Sequence, residues 1–209
     1  MSALQRIAHF KGRRDEVPNQ ELARDLAAKK DRAGIREIAS NLSNPDKNIQ
    51  ADCIKVLYEV GYIAPALIAD HAEDFLKLLH SRNNRLAWGG MIALGTVAGL
   101  RADLVFAHRV EIQKAMDDGS VITMDNGVVA LARAAAKSEK YNKAIFPYLL
   151  NHLKTCRPKE VAQHAEKTLP AVNASNRSQF AAVVTQRMKD LSASGVTRLT
   201  KVLRETEAR

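Results

Sequence analysis

Apolar residues recur every 37 positions through the middle of this 209-residue chain. Two of the series consist of Ile38, Phe75, Ile112 and Leu149, and of Ile54, Met91, Val128 and Ala165. The register needs no gap across four units. A unit this short cannot bury its apolar face alone and must pack against the next one. The period therefore predicts a stack of repeated units with a continuous core.

Each unit contains two apolar stripes with helical spacing. In the first unit they are Ile35, Ile38, Ala39 and Leu42, followed by Ala51, Ile54, Leu57 and Tyr58. Such spacing places apolar side chains on one face of an amphipathic helix. Turns such as Asn44-Pro45-Asp46 and Asp118-Gly119-Ser120 separate the stripes and supply helix-ending and capping residues. The sequence predicts an all-α fold of four clear helical hairpins with degenerate pairs at the ends.

The second stripes resemble the second helices of HEAT repeats. The resemblance is carried by Ile49-Gln50-Ala51-Asp52 with Ile54-Lys55-Val56-Leu57, and by Leu86-Ala87-Trp88 with Ile92-Ala93-Leu94-Gly95. It covers roughly residues 31 to 172, and the chain resembles small HEAT-repeat proteins of the bacterial type. The resemblance implies a right-handed α-α superhelix of the HEAT/armadillo class with a binding surface, and it implies no particular activity.

The register also divides the chain. Residues 19–209 are expected to form one solenoid domain, and residues 1–18, with Lys11-Gly12-Arg13-Arg14, a loosely attached N-terminal arm. The expected repeats lie at about residues 31–64, 65–100, 101–137 and 138–174, followed by a degenerate cap at 175–209. Terminal repeats depart from the pattern because one of their faces meets water instead of a neighbour.

The formal net charge of +9 is concentrated at the two ends of the chain. Residues 37–155 contain 13 basic and 13 acidic side chains, so the central repeats are neutral overall. A surface that follows a nucleic-acid backbone needs repeated Lys or Arg side chains, because the release of counterions from phosphates drives that binding. The charge distribution favours a protein or peptide partner.

Neither a signal peptide nor a membrane span is predicted, and we expect a cytoplasmic protein. The two cysteines, Cys53 and Cys156, lie in separate segments without His or Cys partners at familiar zinc-binding spacing. We expect both to be reduced thiols. The sequence predicts no cofactor, no metal site and no catalytic residue.

Second helices line the concave side in proteins of the class that the chain resembles. The residues expected on that side, and hence at a partner, are Arg85, Trp88, Asp125, Asn126, Val129, Arg133, Lys159 and His164. Asp125 is expected to hydrogen-bond to Arg85 or to a backbone N–H, since an unpaired buried carboxylate is costly. Trp88 fits either the core or an exposed anchor for a partner. We interpret the chain as a non-catalytic binding scaffold.

Two alternatives stay open. The basic ends, including Arg13, Arg14, Lys159 and Arg187, could hold nucleic acid. A Trp near an Asp on a concave face is also similar to the site of alkylpurine DNA glycosylases built on HEAT-like repeats, where the aromatic ring holds a damaged nucleotide. That resemblance implies an enzyme centred on Asp125, although the chain lacks the aromatic-rich groove of those enzymes.

Overall fold

The computed structural model describes residues 2–209, so Met1 of the expected arm lies outside it. Within that range the chain is all-α. Its helices are α1 (Val17–Lys29), α2 (Arg32–Ser40), α3 (Lys47–Ile63), α4 (Ala72–Leu78), α5 (Asn84–Val97), α6 (Ala102–Ala107), α7 (Arg109–Asp118), α8 (Val121–Ala135), α9 (Glu139–Thr155), α10 (Pro158–Thr168), α11 (Arg177–Arg187) and α12 (Ala193–Glu207). Short 3₁₀ turns join several of them.

The 37-residue period is the spacing of the second helices. Helices α3, α5, α8 and α10 begin at Lys47, Asn84, Val121 and Pro158, each 37 residues after the last. The first three begin after a residue whose side chain accepts a hydrogen bond from an N–H of the first turn; these residues are Asp46, Asn83 and Ser120. Pro158 opens α10, where no N–H is needed. Local capping chemistry therefore fixes the register of the hairpins.

The second helices stack in one continuous row. Helix α1 packs on α3, and α3, α5, α8, α10 and α12 then follow in order, each against the next. The first helices form the outer layer, with α2, α4, α7 and α9 packed beside α3, α5, α8 and α10. All four members of the first 37-residue series, Ile38, Phe75, Ile112 and Leu149, are fully buried between the layers. The predicted all-α solenoid is confirmed.

The N-terminal segment is packed onto the stack. Ile7 and Ala8 are buried, and the N–H of Ala8 donates to the side chain of Asn19 over 2.9 Å. The N–H of His9 donates to Asp52 on α3 over 2.7 Å. This differs from the loose attachment expected from the sequence. The segment covers apolar side chains at the end of the row, as a terminal cap must.

The C-terminal pair α11–α12 closes the other end. Arg187 is buried, and its guanidinium donates to the carbonyl oxygens of Leu153, Lys154 and Cys156 at 2.7–2.8 Å. Leu153 and Lys154 lie in the last turn of α9 and Cys156 follows it, so their carbonyls lack the partners that a continuing helix would supply. Arg187 is therefore a structural cap and is not available to grip a nucleic acid. No helix in residues 2–209 is both long and apolar enough to cross a membrane.

Candidate binding face

The second helices leave one side open to solvent, and we call the exposed side of α3, α5, α8 and α10 the second-helix face. Asn48, Arg85, Ile122 and Lys159 occupy equivalent positions on it and are all exposed. Deeper along α8, Asn126 and Val129 are half-buried and Arg133 is exposed. The face combines apolar, amide and basic side chains.

Aromatic rings connect this face to the core. Trp88 is half-buried and packs against buried core residues. Its ring centroid lies 6.3 Å from that of Tyr58, which in turn is 6.0 Å from that of Tyr62. Tyr62 is 60% exposed. The indole of Trp88 thus fills space at the core while part of it stays accessible to solvent, and its role as an anchor for a partner stays a prediction.

A network of charged groups joins the N-terminal cap to two second helices. The ammonium of Lys55 on α3 contacts Glu16 at 2.8 Å and Glu59 at 2.6 Å. Arg85 on α5 contacts the same Glu16 at 3.1 Å. Burial opposes the charge of Lys55, but its hydrogen bonds to both glutamates outweigh burial and raise its pKa. Arg85 is therefore paired with the cap, whereas the sequence suggested Asp125 as its partner.

The cap and the ends of α3 and α5 also enclose an open cavity of about 460 Å³. Its walls include His9, Arg13, Arg14, Glu16 and Arg85. Both basic and acidic groups line it. The cavity extends the second-helix face to the N-terminal end of the stack and places both arm arginines there.

Asp125 on α8 is the centre of a second network. Its carboxylate lies 2.6 Å from Nε2 of His164, accepts a hydrogen bond from Gln163 over 2.8 Å and lies 3.6 Å from the ammonium of Lys167. All three partners belong to α10, so the contacts join adjacent repeats. Asp125 thus bonds to side chains of the next repeat, and not to Arg85 or a backbone N–H as expected from the sequence. Of the residues expected at a partner, His164 is buried beneath the face, and only 1% of its side chain is exposed.

The network continues from His164 to α9. Because a carboxylate only accepts hydrogen bonds, Nε2 of His164 donates to Asp125. In the neutral ring Nδ1 then accepts, and it does so from Nε2 of His152, 2.8 Å away. Burial, and after it the neighbouring His164, lower the pKa of His152 below its ordinary 6.5. Asp125, His164 and His152 thus form a chain of hydrogen bonds from the second-helix face into the fourth hairpin.

Cys156 completes this group. The ligand-capable atoms of His152, Cys156 and His164 lie within 4.8 Å of one another. The sequence predicts no metal site at Cys156, because it offers no His or Cys at familiar zinc-binding spacing; His152 nevertheless precedes it by four residues, about one helical turn. His164 was not recognisable as the third member, because the turn between α9 and α10 separates it from both.

The other residues expected at a partner differ in their hydrogen bonds and in their exposure. Arg133 reaches back to α5 and donates to the carbonyl of Gly95 over 2.8 Å. The amide of Asn126 donates to the carbonyl of Ile122 in its own helix. Arg133 and Lys159 keep exposed charge on the face, while Asp125 and His164 are occupied by each other.

Comparison with known proteins gives structural matches and no sequence match. No protein-family model matches the chain, and no curated protein does. An engineered protein of the Northeast Structural Genomics Consortium is 16% identical, with a TM-score of 0.65 over the full length of both chains. A designed armadillo repeat protein in complex with the peptide (KR)4 is 12% identical, with a TM-score of 0.64 over 98% of each chain. Computationally designed armadillo repeat proteins for modular peptide recognition give 12% identity, with a TM-score of 0.60 over 97% of this chain and 98% of the other.

This chain has an armadillo/HEAT-like solenoid fold. The full-length superposition on designed repeat proteins and the 37-residue register of α3, α5, α8 and α10 agree on it. At these identities the likeness concerns the fold. The matches establish the fold and not the function. Evidence about function has to come from the chemistry of the second-helix face.

Proposed function

We propose that this solenoid is a non-catalytic binding scaffold that holds an extended protein segment or peptide on its second-helix face. The observation that carries the proposal is the row of equivalent exposed residues Asn48, Arg85, Ile122 and Lys159, one from each of four stacked helices. A similar fold holds a peptide in one of the designed armadillo proteins. A repeated surface is suited to a partner that is itself repetitive, such as an extended backbone.

Geometry supports an extended partner. Packed helices lie about 8–10 Å apart, and an extended chain advances about 3.3 Å per residue. Successive second helices would therefore meet roughly every third residue of a bound segment. Ile122 and the outer part of Trp88 provide apolar contacts, while Arg85, Arg133 and Lys159 provide positive charge. We propose that the partner carries apolar side chains interspersed with acidic ones.

The nucleic-acid alternative has less support. The central repeats are neutral, and Arg187 is occupied in capping α9. The glycosylase-like alternative needs a carboxylate free to stabilise a cationic substrate. Asp125 instead binds His164, Gln163 and Lys167 from the next repeat. These contacts favour a structural role for Asp125.

A peptide selection tests the proposal. Random peptides displayed on phage are selected against the protein, and the affinity of a selected peptide is measured by fluorescence anisotropy. We expect the double variant Arg85→Ala, Asn126→Ala to bind at least about 10-fold more weakly, a loss of roughly 1.4 kcal/mol. The matched control is Lys77→Ala, Lys114→Ala, which removes two exposed side chains from the outer layer.

The outcomes separate the proposals. Equal losses in the double variant and the control, or no loss in either, would contradict binding on the second-helix face. Duplex DNA or RNA is titrated in parallel from about 50 mM salt upward. Tight binding to nucleic acid that falls steeply with salt, together with failure to select peptides, would favour the nucleic-acid alternative.

A further inference from the structure

We propose that His152, Cys156 and His164 form a binding site for a zinc ion within the fourth hairpin. The site is independent of the proposed partner binding. His152 belongs to α9, Cys156 follows its last residue, and His164 lies on α10. Two imidazoles and a thiolate are a ligand set that suits zinc, which binds nitrogen and sulfur together.

The distances are close to those that coordination needs. Zinc binds nitrogen at about 2.0–2.1 Å and sulfur at about 2.3 Å, so tetrahedral ligand atoms lie roughly 3.3–3.6 Å apart. The two nitrogens that face each other, Nε2 of His152 and Nδ1 of His164, are 2.8 Å apart, and all three ligand atoms lie within 4.8 Å. Opening the imidazole pair by about 0.5 Å and turning the Cys156 side chain would bring them to these separations.

Asp125 gives the site an outer shell. Histidines that bind metals usually donate their other N–H to a carboxylate, which fixes the tautomer and orients the ring. Nε2 of His164 lies 2.6 Å from the Asp125 carboxylate, so its Nδ1 lone pair already points toward His152. A buried histidine held in this way by a carboxylate is what a zinc ligand requires. Asp125 thereby acts as a positioning residue.

Proton balance follows from the hydrogen bonds. His152 binds the metal through Nε2 once its proton moves to Nδ1, which changes the tautomer and releases nothing. Zinc binds the thiolate form of cysteine, so Cys156 gives up its thiol proton on binding. Binding should release one proton per zinc. Three protein ligands leave a fourth position for water, and His152, which is half-buried, is the most exposed of the three.

Titration of the reduced, full-length protein with zinc alone tests the site. Isothermal titration calorimetry in buffers of different ionisation enthalpy should give one zinc and one released proton per chain. Loss of an outer-shell partner costs about 10- to 100-fold in affinity, so Asp125→Asn should weaken binding by that much. Loss of a direct ligand in Cys156→Ser or His152→Gln should weaken it by more than ~100-fold.

Matched controls distinguish this site from other ligands on the molecule. Cys53→Ser removes the other cysteine, and His80→Gln removes an exposed histidine that bonds to Glu111. Both should bind zinc like the wild type. Cobalt provides a readout that needs no variant, because a thiolate ligand gives a sulfur-to-cobalt charge-transfer band. A wild-type cobalt complex without that band, or equal zinc affinity in the wild type and Cys156→Ser, would overturn the proposal.

Discussion

Two polar networks join successive second helices, and they differ in chemistry. The N-terminal network connects the cap, α3 and α5 through Glu16, Lys55, Glu59 and Arg85. The C-terminal network connects α8, α10 and α9 through Asp125, His164 and His152. The first consists of carboxylate, ammonium and guanidinium groups joined as ion pairs. The second depends on imidazoles, whose protonation and metal binding are both variable near neutral pH.

This difference shows that side chains with different responses to pH and to metal ions can each hold neighbouring repeats together. Both networks link helices in adjacent layers, where a solenoid gains its stability from nearest-neighbour contacts. The N-terminal network should respond mainly to removal of a charge. The C-terminal network should respond to acid and to zinc. Variants in each network should therefore show whether a residue contributes to the stability of the stack or to partner binding.

The largest effect is expected from His164→Ala. The substitution leaves a cavity and deprives His152 and Asp125 of a buried partner, so the free energy of unfolding should fall by about 3 kcal/mol. Urea denaturation followed by circular dichroism measures it. A urea midpoint within error of the wild-type value would show that the hydrogen bonds of His164 do not hold α8 and α10 together.

Lys55→Met tests the N-terminal network while nearly conserving the volume of the side chain. The side chain of Lys55 is 8% exposed, and its removal leaves Glu16 and Glu59 without their shared cation. We expect a loss of about 2 kcal/mol, less than for a fully desolvated pair because both glutamates remain partly solvated. A Lys55→Met protein as stable as the wild type would mean that apolar packing at this position replaces the ion pairs.

Acid should affect the two networks in different pH ranges. His152 has a pKa below 6.5 in the folded protein, so the unfolded chain binds more protons than the folded one as pH falls below that value. Stability should therefore decline by up to about 1.4 kcal/mol per pH unit from this group, and His152→Gln should remove that slope. Glu16 has a pKa below 4.5, because Lys55 and Arg85 outweigh its burial, so its contribution is lost only below pH 4.5. Melting temperatures from pH 8 to 2.5 test both ranges.

The smallest effect on stability is expected from Arg85→Ala. Its side chain is 47% exposed, and such ion pairs contribute roughly 0.2–1 kcal/mol. The same substitution should weaken binding of a selected peptide. A large loss of stability with no change in peptide affinity would assign Arg85 to the cap and not to the face.

The fold was predictable because its information is repeated along the sequence. Four copies of the same apolar spacing at Ile38, Phe75, Ile112 and Leu149 identify both the helices and their stacking. The N-terminal cap was not predictable in this way. Its residues, including Ile7 and Ala8, lie outside the register, and their burial depends on a surface that only the folded stack creates.

The candidate site was predictable in part. The repeat register identified exposed positions such as Arg85 and Lys159, because equivalent residues share an orientation. It did not identify contacts between residues that occupy non-equivalent positions in different parts of the stack. Arg85 meets Glu16 from the cap, 69 residues away, and Asp125 meets His164, 39 residues away. The rotation of one helix against another decides such contacts, and apolar spacing does not encode it.

Site-specific photo-cross-linking tests the central claim most directly. A photoreactive phenylalanine analogue replaces either Ile122, 43% exposed on the second-helix face, or Val110, 67% exposed on the outer layer. The account predicts that a selected peptide cross-links at position 122 and not at position 110, although position 110 is the more accessible. Cross-linking at position 110 alone would place the partner on the outer layer and contradict the account.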